Sequence, residues 1–156
     1  MSQTARARTP SSVGVHATTR TGRGHLSTAA ALLVIDMQLV AFDGKITPPV
    51  ADGTRLLESV ARLINGCRWN ATPVVYLQTS APAGQPYAMD VHGWGIHPLI
   101  SPNEEDHVVT KRNSSGFDGT DLTLLLQTLR IHTVLICGIW SEHCVANTST
   151  DALRLG

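Results

Sequence analysis

Three residues of complementary chemistry stand where an apolar run of this 156-residue chain gives way to polar sequence. Asp36 follows "AALLVI", Lys111 ends "HVVTK", and Cys144 comes soon after "HTVLICGI". A carboxylate can take up a proton and return it, an ammonium can hold a neighbouring negative charge, and a thiolate can attack a carbonyl carbon. Taken singly, each residue has a plainer reading. An Asp after a strand is often a turn former, a Lys at a strand end is often a solvated charge, and a Cys in an apolar turn is often a small core residue. Cys144 is the second cysteine of the stretch "CGIWSEHCV", seven residues after Cys137, and the third cysteine is Cys67. That spacing matches neither a zinc ribbon nor a redox Cys-x-x-Cys. Cys137 lies inside an apolar run and reads as buried and inert. Cys67, beside Arg68, has no assigned role.

The elements that must position these groups follow from periodicity. "AALLVIDM" (30–37) is a short continuous apolar run, as expected of a strand covered on both faces. Thr54 is a candidate cap for a helix whose stripe is Leu56, Leu57, Val60, Leu63 and Ile64, with Gly66 at its expected end. "TPVVYLQT" (72–79) reads as a second strand, followed by a Pro- and Gly-rich loop of about 25 residues, a length that usually signals function. "HVVTK" (107–111) is a third strand. Thr120 can cap a helix carrying Leu122, Leu125, Leu126 and Leu129, "HTVLICGI" (132–139) is a fourth strand, and 142–155 starts a last helix with Gly156 as a C-cap. This alternation predicts an α/β fold with a mostly parallel sheet and right-handed crossovers. In such sheets functional groups collect at the carboxyl ends of the strands, which is where Asp36, Lys111 and Cys144 fall.

Composition narrows the classes. Twelve Lys and Arg balance twelve Asp and Glu, so no global field favours nucleic acid or an anionic membrane. No apolar run approaches the roughly 20 residues that span a bilayer. The odd cysteine count argues against a secreted disulfide scaffold and for a cytoplasmic location. Residues 1–28 carry Arg6, Arg8, Arg20 and Arg23 without any acid and lack periodicity, so they read as a disordered tail, although such a start is also transit-peptide-like. Residues 29–156 form the folded domain. The chain stops at "DALRLG", where an α/β unit would pass into another strand, leaving "HTVLICGI" as an apolar edge. A fragment, or an edge covered by a second copy in a homo-oligomer, is expected.

The order Asp, Lys, Cys in these surroundings resembles the isochorismatase-like cysteine hydrolases, which include the nicotinamidases. "VIDMQ" with Phe42 beyond it is similar to the family's first-strand motif, "TKRNSSGFDGTDL" to its Lys and following turn, and "GIWSEHCVANTSTDA" to its nucleophile segment. The likeness covers residues 30–156. It implies a three-layer, Rossmann-like sheet of order 3-2-1-4, truncated at the C-terminus relative to the family. It further implies that Cys144 is the nucleophile, Asp36 the general acid/base and Lys111 an electrostatic support. A helix N-terminus and a cation can lower a thiol's pKa to about 3.5–7.5, and both are expected at Cys144. The oxyanion hole would be the N–H groups of Trp140 and Cys144, with a cis peptide between Ile139 and Trp140. Gln38, Phe42, Trp94, Phe117 and His143 are the expected substrate contacts.

The nicotinamidases carry an Asp-x-His after the second strand. This chain reads "LQTSAPAG" there, so His92, His97 and His107 are not expected to hold a metal, and no cofactor is expected. A phosphate-binding Gly-rich turn is missing after the first strand, as are the further acids of a phosphotransfer site. The resulting expectation is hydrolysis of a carbon–nitrogen bond in a small-molecule amide through a thioester. The alternative is a non-catalytic or inactive truncated member acting as a small-molecule-binding or interaction subunit.

Overall fold

A computed structural model describes residues 30–156; the expected tail at 1–28 lies outside the described residues. Four parallel strands, β1 (Ala30–Ile35), β2 (Val74–Thr79), β3 (His107–Lys111) and β4 (Thr133–Gly138), form one sheet of order β3-β2-β1-β4. β1 is central and buried on both faces, which is why it reads as an unbroken apolar run. Its alternate residues feed two cores. Leu32 and Val34, with Val74 and Tyr76 of β2, pack against Leu57, Val60 and Ile64 of helix α1 (Gly53–Trp69). Ala31, Leu33 and Ile35, with Val75 and Leu77, pack against Leu122 and Leu126 of helix α2 (Leu122–Thr128). The result is a helix–sheet–helix sandwich. Each of these buried aliphatic side chains contributes about 1.5–3 kcal/mol.

Helix boundaries depart from the sequence expectation in instructive ways. Thr54 lies inside α1, and Asp52, in the left-handed region at φ 51°, occupies the cap position. Gly66 does not end α1, because it is exposed and the helix can run through it. Termination comes from a Schellman-type closure. The Thr72 N–H donates to the Cys67 carbonyl and the Ala71 N–H to that of Arg68, with Ala71 left-handed at φ 52°. Thr120 does serve the start of α2: its Oγ1 accepts the Leu122 N–H at 3.2 Å. The last helix, α3 (Ala146–Leu155), begins later than expected, because a π-turn over Ser141–Val145 precedes it.

β4 and β3 are the two edge strands among the described residues, and Leu135 on β4 is 51% exposed. The long β2–β3 connection is docked rather than loose. The Leu39 and Val40 N–H groups donate to the carbonyls of Gly95 and Gly93, and the His97 N–H donates to that of Met37. Gly93 permits this approach, since a Cβ there would stand 2.6 Å from the Val40 nitrogen. None of the described helices is long and apolar enough to cross a membrane.

Candidate functional site

The carboxyl ends of β1, β2 and β3 and the π-turn after β4 converge on one buried polar cluster. Asp36 leaves β1 in the left-handed region at φ 54°, and its N–H is held by the Leu77 carbonyl at 2.9 Å. One carboxylate oxygen accepts the Thr79 hydroxyl at 2.8 Å, and the other lies 3.0 Å from Lys111 Nζ. Lys111 Nζ also donates to Thr79 Oγ1 at 2.9 Å and to the Asn113 carbonyl at 3.2 Å, and it stands 3.2 Å from Cys144 Sγ. Side-chain exposure is 1% for Lys111 and 3% for Asp36, so this ion pair is almost fully desolvated. It persists because each charge also has hydrogen-bonding partners.

Cys144 is positioned by the exit from β4. Gly138, paired with Ile35 in the β1–β4 register, adopts φ 130°, and a Cβ there would meet the Ile35 carbonyl oxygen at 2.1 Å. Only glycine lets the chain cross that strand end. The Ile139 N–H then donates to the Ile35 carbonyl at 3.0 Å, the Ile139–Trp140 peptide is cis, and the π-turn brings Cys144 round to Lys111.

The thiol does not have the acidity expected from sequence. Burial pushes its pKa up, the Asp36 carboxylate adds to that through charge and a hydrogen bond, and Lys111 only partly opposes them. The helix-and-cation argument loses because the same lysine is already engaged by Asp36, 3.0 Å away. The net direction is upward, towards the protonated sulfur. Cys137, packed against the α1-side core, is shifted further, to about 12 by burial.

The other candidate residues divide. Gln38 is fully buried and committed to backbone: its Nε2 donates to the Thr79 and Trp94 carbonyls, and its Oε1 accepts the Thr79 N–H. Both protons of that amide are thus taken by backbone carbonyls. Phe117 packs against the α2-side core and lines a separate cleft with Leu126, Ile131, Val134 and Leu155. Trp94 fixes the long connection by donating its indole N–H to the Thr79 carbonyl at 3.0 Å. Phe42 packs against the α1-side core and meets His97 edge-on, 5.4 Å between ring centroids. His143 and Trp140 are exposed, the latter at 37%.

Thr79 was missed in the sequence, although it ends β2 and the strand-end rule applies to it as well. Its hydroxyl donates to Asp36 and accepts from Lys111, so it orients both. Ser114 is a second omission. Its Oγ is 4.0 Å from Cys144 Sγ and is held by Asn147 at 2.8 Å.

Residues 30–156 match the sequence model described as Isochorismatase domain. Over 126 residues the chain is 36% identical to streptothricin hydrolase of Streptomyces noursei, covering 81% of this chain and 45% of that protein. The chain thus spans less than half the length of that relative. The structure of N-carbamoylsarcosine amidase from Thermoplasma acidophilum is similar at TM-score 0.71 and 29% identity, over 81% of this chain and 76% of that one. Pyrazinamidase of Pyrococcus horikoshii, solved in complex with zinc, is similar at TM-score 0.74 and 27% identity, over 82% and 80% of the two chains. The residues present here do not fit such a metal. His97 Nδ1 accepts the Leu99 N–H, His92 is paired with Asp43, and His107 lies in β3. Among the described residues no group of three or more His, Cys, Asp or Glu side chains is gathered to hold an ion.

Proposed function

Because the chain belongs to the isochorismatase family, we propose that it is a cysteine hydrolase opening a carbon–nitrogen bond of a small-molecule amide. The observation that carries this reading is Lys111 Nζ in contact with Asp36, Thr79 and Cys144 at once, in a cluster where the Lys111 and Asp36 side chains are buried. Two structural relatives have amidase activity in their names, which favours an amide over an enol ether.

The chemistry runs through this chain's own side chains. Asp36 takes the Cys144 proton as the sulfur attacks the carbonyl carbon. The N–H groups of Trp140 and Cys144 receive the oxyanion, a type of interaction in which one donor is typically worth about 2.7–4 kcal/mol of barrier. Collapse breaks the carbon–nitrogen bond as Asp36 delivers its proton to the leaving nitrogen, and a thioester remains on Cys144. Water, deprotonated by Asp36, then attacks the thioester; the acid leaves and the proton returns to sulfur. Lys111, 3.0 Å from Asp36 and 3.2 Å from Cys144, offsets the charge on sulfur in both half-reactions. Phe42, Trp94 and Trp140 provide the aromatic walls for a flat or apolar acyl group.

A cytoplasmic setting belongs to the same proposal, since a nucleophilic thiol is kept reduced there. So does self-association, for which the exposed Leu135 on edge strand β4 offers apolar surface. The test is ammonia release from a panel of small amides, with Cys144→Ala as control and intact mass to detect an acyl adduct. Turnover lost in the variant is the expected result. Absence of both turnover and adduct across the panel, in folded protein, overturns the reading in favour of a binding subunit.

A further inference from the structure

The residues that follow Thr79 and Lys111 border a cavity that the Asp36–Lys111–Cys144 cluster does not use. Thr79 and Lys111 are partners in the β2–β3 register, and the ladder runs one step further, the Ser80 N–H donating to the Lys111 carbonyl at 2.9 Å. Ser80 and Arg112 line a space of about 680 Å³ whose remaining wall comes from the segment 81–90. That wall is fixed by its own hydrogen bonds. The Ala81 N–H donates to the Tyr87 carbonyl and the Gln85 N–H to that of Pro82, both at 3.1 Å, and the Gly84 N–H donates to one carboxylate oxygen of Asp90 at 3.3 Å.

Three polar groups on this cavity have bonding capacity that the protein leaves unused. Ser80 is 8% exposed, yet its hydroxyl bonds to no other group among the described residues, so the cavity is where it can find a partner. Among the described residues neither Arg112 nor Asp90 belongs to an ion pair, although both line the same space. Asp90 keeps its second oxygen free of the Gly84 bond. The rest of the wall is apolar, from Ala81, Pro82 and Met89, the last 67% exposed. A mostly apolar hollow with a few placed polar groups is the usual form of a small-molecule site. An anion alone would meet the guanidinium but also the Asp90 carboxylate, and a cation alone would meet the reverse. A ligand that carries both charges satisfies both.

We propose that this cavity is a binding site for a zwitterion, the head group of an α-amino acid with an apolar side chain. The ligand carboxylate pairs with the Arg112 guanidinium, whose planar fork matches it, and accepts the Ser80 hydroxyl. The ligand ammonium donates to Asp90, and its side chain lies on Pro82 and Met89. The site is independent of the amide reading, because none of these groups belongs to the Asp36–Lys111–Cys144 cluster.

L-leucine, isocaproate and isopentylamine share one side chain and differ only in the head group, which makes them matched probes. Each is titrated into the isotope-labelled chain and followed by backbone amide chemical shifts, a readout that needs no turnover. Leucine should shift the Ser80, Gly84 and Arg112 amides saturably. Isocaproate and isopentylamine, each lacking one charge, should bind roughly ten-fold more weakly or worse. Arg112→Gln should weaken leucine and isocaproate but strengthen isopentylamine, which then meets no opposing cation. Asp90→Asn, whose side-chain oxygen can still accept the Gly84 N–H, should weaken leucine and isopentylamine but strengthen isocaproate. A purely structural effect would move all three ligands in one direction. Absence of leucine-dependent shifts at these amides, equal affinity for the three probes, or variants that change all three alike overturns the proposal.

Discussion

Lys111 Nζ lies 3.2 Å from Cys144 Sγ, yet the thiol is held above its ordinary pKa rather than below it. Burial and the Asp36 carboxylate favour the protonated sulfur more than the ammonium favours the thiolate. The sign sets the pH profile of alkylation. A group whose pKa is raised stays protonated up to a higher pH, so the rate of Cys144 labelling should climb through a range above that of an ordinary thiol, about 8.5. Asp36→Asn removes a cause of the upward shift and should move the profile to lower pH, while Lys111→Met should move it higher. Peptide mapping by mass spectrometry after timed iodoacetamide pulses reads this directly. Full labelling speed already reached at pH 6 would contradict the assignment.

The Lys111–Asp36 pair should also dominate the stability of the site. Replacing Lys111 with Met leaves a carboxylate that is 3% exposed without its counter-ion. Breaking a buried pair in this way costs about 3–5 kcal/mol. Adding Asp36→Asn to the same chain should recover part of the loss, because the uncompensated charge is then gone. Urea unfolding of the single and double variants tests both statements.

Thr79→Val removes the hydroxyl that joins Asp36 to Lys111 while keeping side-chain shape. Hydrogen bonds to charged groups are worth about 1.5–3 kcal/mol, so kcat/KM for the best amide should fall roughly ten- to hundred-fold. Thr79→Ser, which restores the hydroxyl, should recover most of it. Equal activity in the Val variant would remove Thr79 from the machinery.

Gly138→Ala forces a Cβ to within 2.1 Å of the Ile35 carbonyl oxygen at a φ of 130°. A loss of about 3 kcal/mol is expected, within the range for steric strain at a special backbone position. Amide hydrogen exchange should locate the damage at β1 and β4 rather than at β3, because Gly138 lies in the β1–β4 register.

Arg68 is a control far from the chemistry. Its guanidinium, at the end of α1, bonds Asp106, the Ser101 carbonyl and the Tyr76 hydroxyl, and the Asp106 side chain is 3% exposed. Arg68→Ala should cost about 3 kcal/mol by leaving that carboxylate buried without its counter-ion, with only the Asn103 N–H still donating to it, and kcat should be unchanged at a temperature where the variant is folded.

The elements, and the polar residues that end the strands, were legible because both depend on local pattern. Two-sided burial makes β1 and β2 continuous apolar runs, and a parallel sheet sends the residue after each strand to one edge. From this alone Asp36, Lys111 and Cys144 could be selected as candidates; the reading of "GIWSEHCV" as a nucleophile segment comes only from the family resemblance. What local pattern does not show depends on partners distant in sequence. Gln38 looks like a ligand-binding amide until Thr79 and Trp94, 41 and 56 residues away, are seen to occupy it. Thr79 looks like the last residue of a strand until its hydroxyl is found between two charges from other strands. The protonation of Cys144 was beyond the sequence for the same reason. A pKa is set by the balance of desolvation and charges at distances of a few ångströms, and the packing of four chain segments decides those distances. Sequence alone determined which groups are present and at which strand ends they emerge; only the tertiary structure decided that Lys111 stands between Asp36 and Cys144, and that burial and the Asp36 charge outweigh that cation in pushing the thiol's pKa up.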